Sequence, residues 1–174
     1  MKRFTPFLIL TMILIGQFWA CGDSRTEEEL LQEIDKLKSE EKLVDATKTM
    51  EAFIEKFPES PKRASMMKEL AILYVGSAKD YRKAIEIYQA IQNDYAADSS
   101  LVAQCQFMTG YIYANDLHEY DNARREYEKF LEAFPNNELA DDVAWELENL
   151  GKDISQIRLL PSQESPESKQ TIEQ

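Results

Sequence analysis

The chain has little that breaks or bends a backbone. Over 174 residues there are five glycines and six prolines. That scarcity favours helices joined by short turns. The glycines stand singly, at positions 16, 22, 76, 110 and 151, so no phosphate-cradling loop exists. His118 is the sole histidine, and Cys21 and Cys105 are the sole cysteines. A histidine-based triad and a structural zinc site are excluded on inventory. Basic charge is also scarce: 20 Lys and Arg stand against 32 Asp and Glu, a net charge of −12. Non-specific nucleic-acid binding needs clustered bases to replace counterions, so it is excluded. A polybasic grip on anionic lipid is excluded for the same reason. The acidic pairs Asp141–Asp142 and Glu146/Glu148 read as solvated helix faces rather than as a carboxylate pair for sugar hydrolysis. The inventory implies no cofactor, no metal, no small-molecule substrate and no enzyme.

The first twenty residues differ from the rest. Met1-Lys2-Arg3 is a short positive start, and Phe4 to Ala20 then carries no charge. This stretch is shorter than the roughly 18 apolar residues of a spanning helix. It matches a secretory signal over residues 1–20, with the cut between Ala20 and Cys21. The residues alone also fit a plain secretory leader or an uncleaved anchor. Cys21 at that place resembles a bacterial lipoprotein signal, although Phe18 and Trp19 depart from the usual residues. The resemblance implies lipidation at Cys21, with residues 21–25 as tether. Two or more acyl chains anchor stably where one does not. Gly22 directly after the cysteine favours an outer-membrane destination, facing the periplasm. With Cys21 lipidated, Cys105 has no disulfide partner. Its place on an apolar helix face reads as core.

What the chain has in abundance is repetition. Ser60, Ala64, Tyr74, Tyr81, Ala84 and Tyr88 recur 39 residues later as Ser99, Ala103, Tyr113, Tyr120, Ala123 and Tyr127. Ala71, Ile91 and Tyr95 likewise face Gly110, Phe130 and Phe134. A fixed period of this length indicates a solenoid of helical hairpins. Apolar spacing predicts seven helices. They run near 26–40, with a Thr26/Glu29 capping box; 42–57, with Val44, Ala46, Met50 and Phe53 on one stripe; and from Ser60-Pro61 to Gly76. They continue from the Asp80 cap to Tyr95, from Asp98 through Tyr113, from Tyr120 to Phe134, and from the Asn137 cap to Gly151.

The second helices align as Ala46, Met50, Phe53 and Pro58; Ala84, Tyr88, Ile91 and Ala96; and Ala123, Tyr127, Phe130 and Pro135. The first helices carry a small residue and a tyrosine three apart: Ala71 and Tyr74, then Gly110 and Tyr113. These positions resemble the tetratricopeptide repeat. The expected fold is an all-α, right-handed solenoid of about three hairpins with a capping helix, over residues 26–151. Gln106 stands where the family often has a bulky residue. The second and third units hold one extra residue between their helices. The long period and F-P endings resemble outer-membrane assembly lipoproteins of the BamD type and TolA-binding, cell-division-coordinator proteins, though those of the BamD type carry about five units. Residues 152–174 form a tail; Ile154, Ile157, Leu159 and Leu160 suit a short further helix, and the polar run after Pro161 reads as disordered.

The family register places a partner groove on the first helices: Lys68, Ile72 and Val75, then Gln104, Phe107, Tyr111 and Asn115. Phe107 and Tyr111 are four apart and share a face, as anchors for a peptide or as core between repeats. The bases Lys62, Arg63, Lys68, Lys79, Arg82 and Lys83 read as solvated. The implied function is a lipid-anchored periplasmic adaptor for protein or peptide partners in the cell envelope, possible roles being outer-membrane protein assembly, a cell-division or peptidoglycan-linked adaptor, or a regulatory subunit of an envelope enzyme.

Overall fold

The computed structural model describes residues 24–153. The leader with Cys21, and the tail from residue 154 onward, lie outside the described residues. Seven α-helices occur among those described: α1 (Glu27–Ser39), α2 (Leu43–Lys56), α3 (Arg63–Leu73), α4 (Tyr81–Asp94), α5 (Ser99–Tyr111), α6 (Tyr120–Ala133) and α7 (Ala140–Asn149). Each packs on its chain neighbours, giving the hairpins α1–α2, α3–α4 and α5–α6, with α7 over the last. The arrangement is an all-α, tetratricopeptide-like solenoid.

Polar side chains at helix starts absorb the orphan backbone donors there. Thr26 and Glu29 form a reciprocal capping box on α1. Asp80 accepts from the Lys83 N–H at 3.1 Å, and Asp98 from the Leu101 N–H at 3.0 Å. The second helices all end alike. The N–H groups of Phe57, Tyr95 and Phe134 donate to the carbonyls of Phe53, Ile91 and Phe130 at 2.9, 2.9 and 2.8 Å. Ala46, Ala84 and Ala123 are wholly buried, as are Phe53, Ile91 and Phe130. Burying each of those three large side chains contributes roughly 1.5–3 kcal/mol. Phe53–Phe57 and Phe130–Phe134 form equivalent ring pairs, with centroids 5.6 and 5.5 Å apart.

The extra residue of the second and third units goes into a π turn. Residues Tyr74–Ala78 follow α3 and Ile112–Asp116 follow α5, both with the wider π-helical pitch. A π turn takes up one residue without rotating the helix before it. The N–H groups of Asp80 and Glu119 then reach back to the carbonyls of Tyr74 and Tyr113 at 2.9 and 2.8 Å. All three hairpins turn through a left-handed non-glycine residue: Glu41 (φ 57), Lys79 (φ 55) and His118 (φ 54). His118 Nδ1 also lies 3.3 Å from the Ala114 carbonyl.

Several boundaries differ from the sequence expectation. Ser60-Pro61 does not open α3, which starts at Arg63 after a turn. Ser60 Oγ instead accepts from the Lys62 N–H at 3.1 Å and donates to Glu27 at 2.7 Å, tying this turn to α1. Asn137 braces a turn, accepting from the Leu139 N–H at 3.0 Å, and α7 begins three residues beyond it. Val44 is 68% exposed. It sits in the first turn of α2, off the face that Ala46, Met50 and Phe53 bury. Gly151 terminates α7 with φ +74, a conformation that glycine adopts freely.

Candidate functional site

The first helices bring four of the seven expected groove residues into one cleft. Lys68 and Ile72 of α3, and Gln104 and Phe107 of α5, line it. Tyr88, Cys105, Met108 and Leu139 complete the walls of a cavity of about 250 Å³. Small-molecule sites run to roughly 300–1,000 Å³, so this space suits one or two side chains of a partner. Its polar element is a bridge across the repeats: Lys68 Nζ donates to Gln104 Oε1 at 2.9 Å. Ile72 is 56% exposed at the rim.

Tyr111 extends this apolar surface one turn along α5. Its ring lies 6.1 Å from that of Phe107, and it is 38% exposed. Phe107 is half-buried and stacks on Tyr127 at 6.3 Å. The pair therefore joins both roles open in the sequence, with Phe107 rooted in the core and Tyr111 presented outward. The other two expected residues lie elsewhere. Val75 packs against the core within the first π turn, because the wider pitch shifts it off the α3 groove face. Asn115 is exposed and donates to the Tyr111 carbonyl at 3.2 Å. It lines a second cleft, of about 270 Å³, with His118, Tyr120, Trp145, Glu146 and Asn149.

Sequence reasoning missed Tyr88, Cys105, Met108 and Leu139. Leu139 precedes the capping helix, outside the repeat register. Cys105 and Met108 carried a core signal that also fits a cleft floor. Tyr88 belongs to a second helix, and only its length carries it through to the first-helix layer. Burial pushes the Cys105 thiol up to about 11 and the Tyr88 phenol up to about 12. Cys105 is wholly buried as a free thiol. Both facts make it a poor nucleophile.

Gln106, at the family's bulky position, is buried and donates to the Glu126 carbonyl at 3.1 Å. It replaces apolar bulk with a bond across the hairpin. Three of the six expected bases are neutralised in place. Arg63 pairs with Asp94 at 2.7 Å, Lys83 with Glu51 at 3.7 Å, and Arg82 with Glu119. The more exposed pairs, at Arg82 and Lys83, contribute about 0–1 kcal/mol each.

Among the described residues no group of three His, Cys, Asp or Glu side chains is placed to hold a metal ion. No described helix is long and apolar enough to cross a membrane. The chain has no match among curated proteins. Residues 104–137, the third hairpin from its cleft-facing Gln104 to the turn before α7, match the tetratricopeptide repeat family, whose repeats typically serve as protein-interaction modules.

Proposed function

We propose that the chain is a lipid-anchored periplasmic adaptor that docks protein partners on its first helices, in the service of outer-membrane protein assembly. The observation that carries the docking role is the apolar cleft between α3 and α5, continued outward by Tyr111. A cleft of this size, with an exposed aromatic beside it, fits the large side chain of a partner segment. The envelope setting rests on the leader: a positive start, an uncharged apolar run, and Ala20 before Cys21. Anchoring through lipid leaves the solenoid free to meet partners at the membrane surface.

Crosslinking in intact envelopes, followed by affinity capture, tests the adaptor role. Captured partners are expected to include outer-membrane assembly components. The Phe107→Ala/Tyr111→Ala double variant, folded by circular dichroism, is expected to lose them at least tenfold, as removal of two contact aromatics costs more than about 1.4 kcal/mol. Undiminished capture by the folded double variant would overturn the docking site, and capture confined to cell-division components would redirect the assembly role. Mass spectrometry of the mature N-terminus tests the anchor. Acylated Cys21 is expected; an unmodified terminus would remove the lipid part of the proposal.

A further inference from the structure

The described residues end at Asp153, and the chain leaves through the second cleft. Leu150, Gly151 and Lys152 line that cleft themselves, with Asn115, His118 and Tyr120. Short contacts fix the exit. Gly151 takes φ +74, and a Cβ built on it would lie 3.4 Å from the Tyr120 ring, so the backbone turns against that ring. The Lys152 N–H then donates to the Asn149 carbonyl at 3.0 Å. Two aromatic side chains of the cleft are poorly covered. Tyr120 is 42% exposed. Trp145 is half-buried, yet it belongs to neither hydrophobic core cluster of the described residues. A tryptophan is a large apolar group that ordinarily lies against a core; this one stands on the cleft wall.

The sequence that follows matches the cleft in chemistry and reach. Ile154, Ile157, Leu159 and Leu160 all fall within the first seven residues after Asp153, and from Pro161 to Gln174 only Ile172 is aliphatic. An extended chain spans at most about 3.3–3.6 Å per residue, so Ile154 lies within about 7 Å of Lys152 and Ile157 within about 18 Å. Both reach the cleft without movement of any helix. Its volume of about 270 Å³ is below the roughly 300–1,000 Å³ of small-molecule sites and suits side chains of a segment. Charge agrees as well. Arg158 is the one charged residue from Ile154 to Leu160, and α7 carries Asp141, Asp142, Glu146 and Glu148 with no base. Glu146 and Lys152 line the cleft together, so its own charge is balanced and the apolar side chains carry the seating. A tethered segment faces its site at an effective concentration on the order of millimolar, so even weak apolar contact keeps it seated.

We propose that residues 154–160 of this chain dock back into the second cleft, with Ile154 and Ile157 against Trp145 and Tyr120. The contact closes that cleft to outside partners. It leaves the first cleft, at Ile72 and Phe107, as the surface on which they dock. The intrachain contact does not depend on the adaptor role.

Tryptophan emission of the full chain tests it. Trp19 and Trp145 are the two tryptophans, so Trp19→Phe leaves Trp145 as sole reporter. In that background Ile154→Ser/Ile157→Ser is expected to shift Trp145 emission to longer wavelength and to increase its quenching by acrylamide. A peptide of residues 153–161, added to the serine variant, is expected to reverse both changes. It should bind that variant about tenfold more tightly than the chain with its own isoleucines, whose tethered segment competes at millimolar effective concentration. Tyr120→Ala in the serine variant, folded by circular dichroism, is expected to abolish peptide binding, whereas Phe107→Ala/Tyr111→Ala is expected to leave it. Unchanged emission in the serine variant, or equal peptide binding by the two chains, would overturn the inference. Peptide binding lost with Phe107 and Tyr111 but kept without Tyr120 would overturn it in favour of the first cleft. Emission that moves on dilution would overturn it in favour of a second copy's segment.

Discussion

The second and third hairpins share their backbone down to the π turn and the left-handed residue after it, yet they differ by one methyl group at their closest approach. Ala71 and Gly110 are equivalent, as are Tyr88 and Tyr127. A Cβ added at Gly110 would meet Tyr127 Cε1 at 2.5 Å. In the third hairpin the ring has therefore moved into space that Ala71 occupies in the second. The first hairpin carries the trade further, with Ile34 opposite the smaller Met50 in the same register. Bulk removed from the first helix is returned on the second, as close packing requires. The consequence is local. Tyr127 is fully buried with an orphan hydroxyl, whereas Tyr88 reaches the cleft. Repetition fixes the stack, and a single small substitution gives one unit a distinct polar interior.

Reciprocal substitutions break this comparison most strongly. Gly110→Ala is expected to destabilise the chain by about 1–3 kcal/mol, because overpacking forces a ring held on all sides to move. Ala71→Gly is expected to cost only about 1 kcal/mol, the helix penalty of glycine. Urea midpoints at constant m-value give both numbers. Equal losses at the two sites would show that the hairpins pack alike after all. Gly110→Ala should also weaken binding on the first helices, since Phe107 stacks on the displaced ring.

The next contrast removes an oxygen. Tyr127→Phe is expected to raise stability by about 1 kcal/mol, because an unpartnered buried hydroxyl is deleted while the ring stays. Tyr88→Phe is expected to lie within about ±0.5 kcal/mol, as for a position whose polar atom is not stranded. If both changes prove neutral in thermal and urea unfolding, Tyr127 has a partner in solution.

How much of this was legible beforehand depended on whether a feature was local. Caps were legible at Thr26, Asp80 and Asp98, because a short side chain meets a backbone N–H two or three residues away. The stacking positions were legible from their period. The extra residue of the later units was visible as a count, but not its fate, since a π turn has no residue signature in Tyr74–Ala78 or Ile112–Asp116. That turn is also what moved Val75 off the groove face. Ser60-Pro61 looked like a helix start, yet Ser60 is drawn to Glu27 across the hairpin, a contact with no sequence signal. Leu139 and the second cleft, where Asn115 faces Trp145 and Glu146, arise between non-repeating elements, so periodicity could not find them.

The smallest effects sharpen the comparison at the turns. Glu41, Lys79 and His118 hold positive φ without being glycine. Left-handed backbone costs an ordinary residue roughly 1–2 kcal/mol, and glycine gives back part of that gain through a more flexible unfolded chain. Glu41→Gly and Lys79→Gly are each expected to stabilise by about 0.5–1 kcal/mol. His118→Gly should gain less. Histidine tolerates this region better than Glu or Lys, and His118 Nδ1 contacts the Ala114 carbonyl, which glycine would abandon. Differential scanning calorimetry on the three single variants orders them. A gain at His118 equal to that at Lys79 would mean that the ring contact adds nothing, and that the second and third hairpins differ only where Gly110 meets Tyr127.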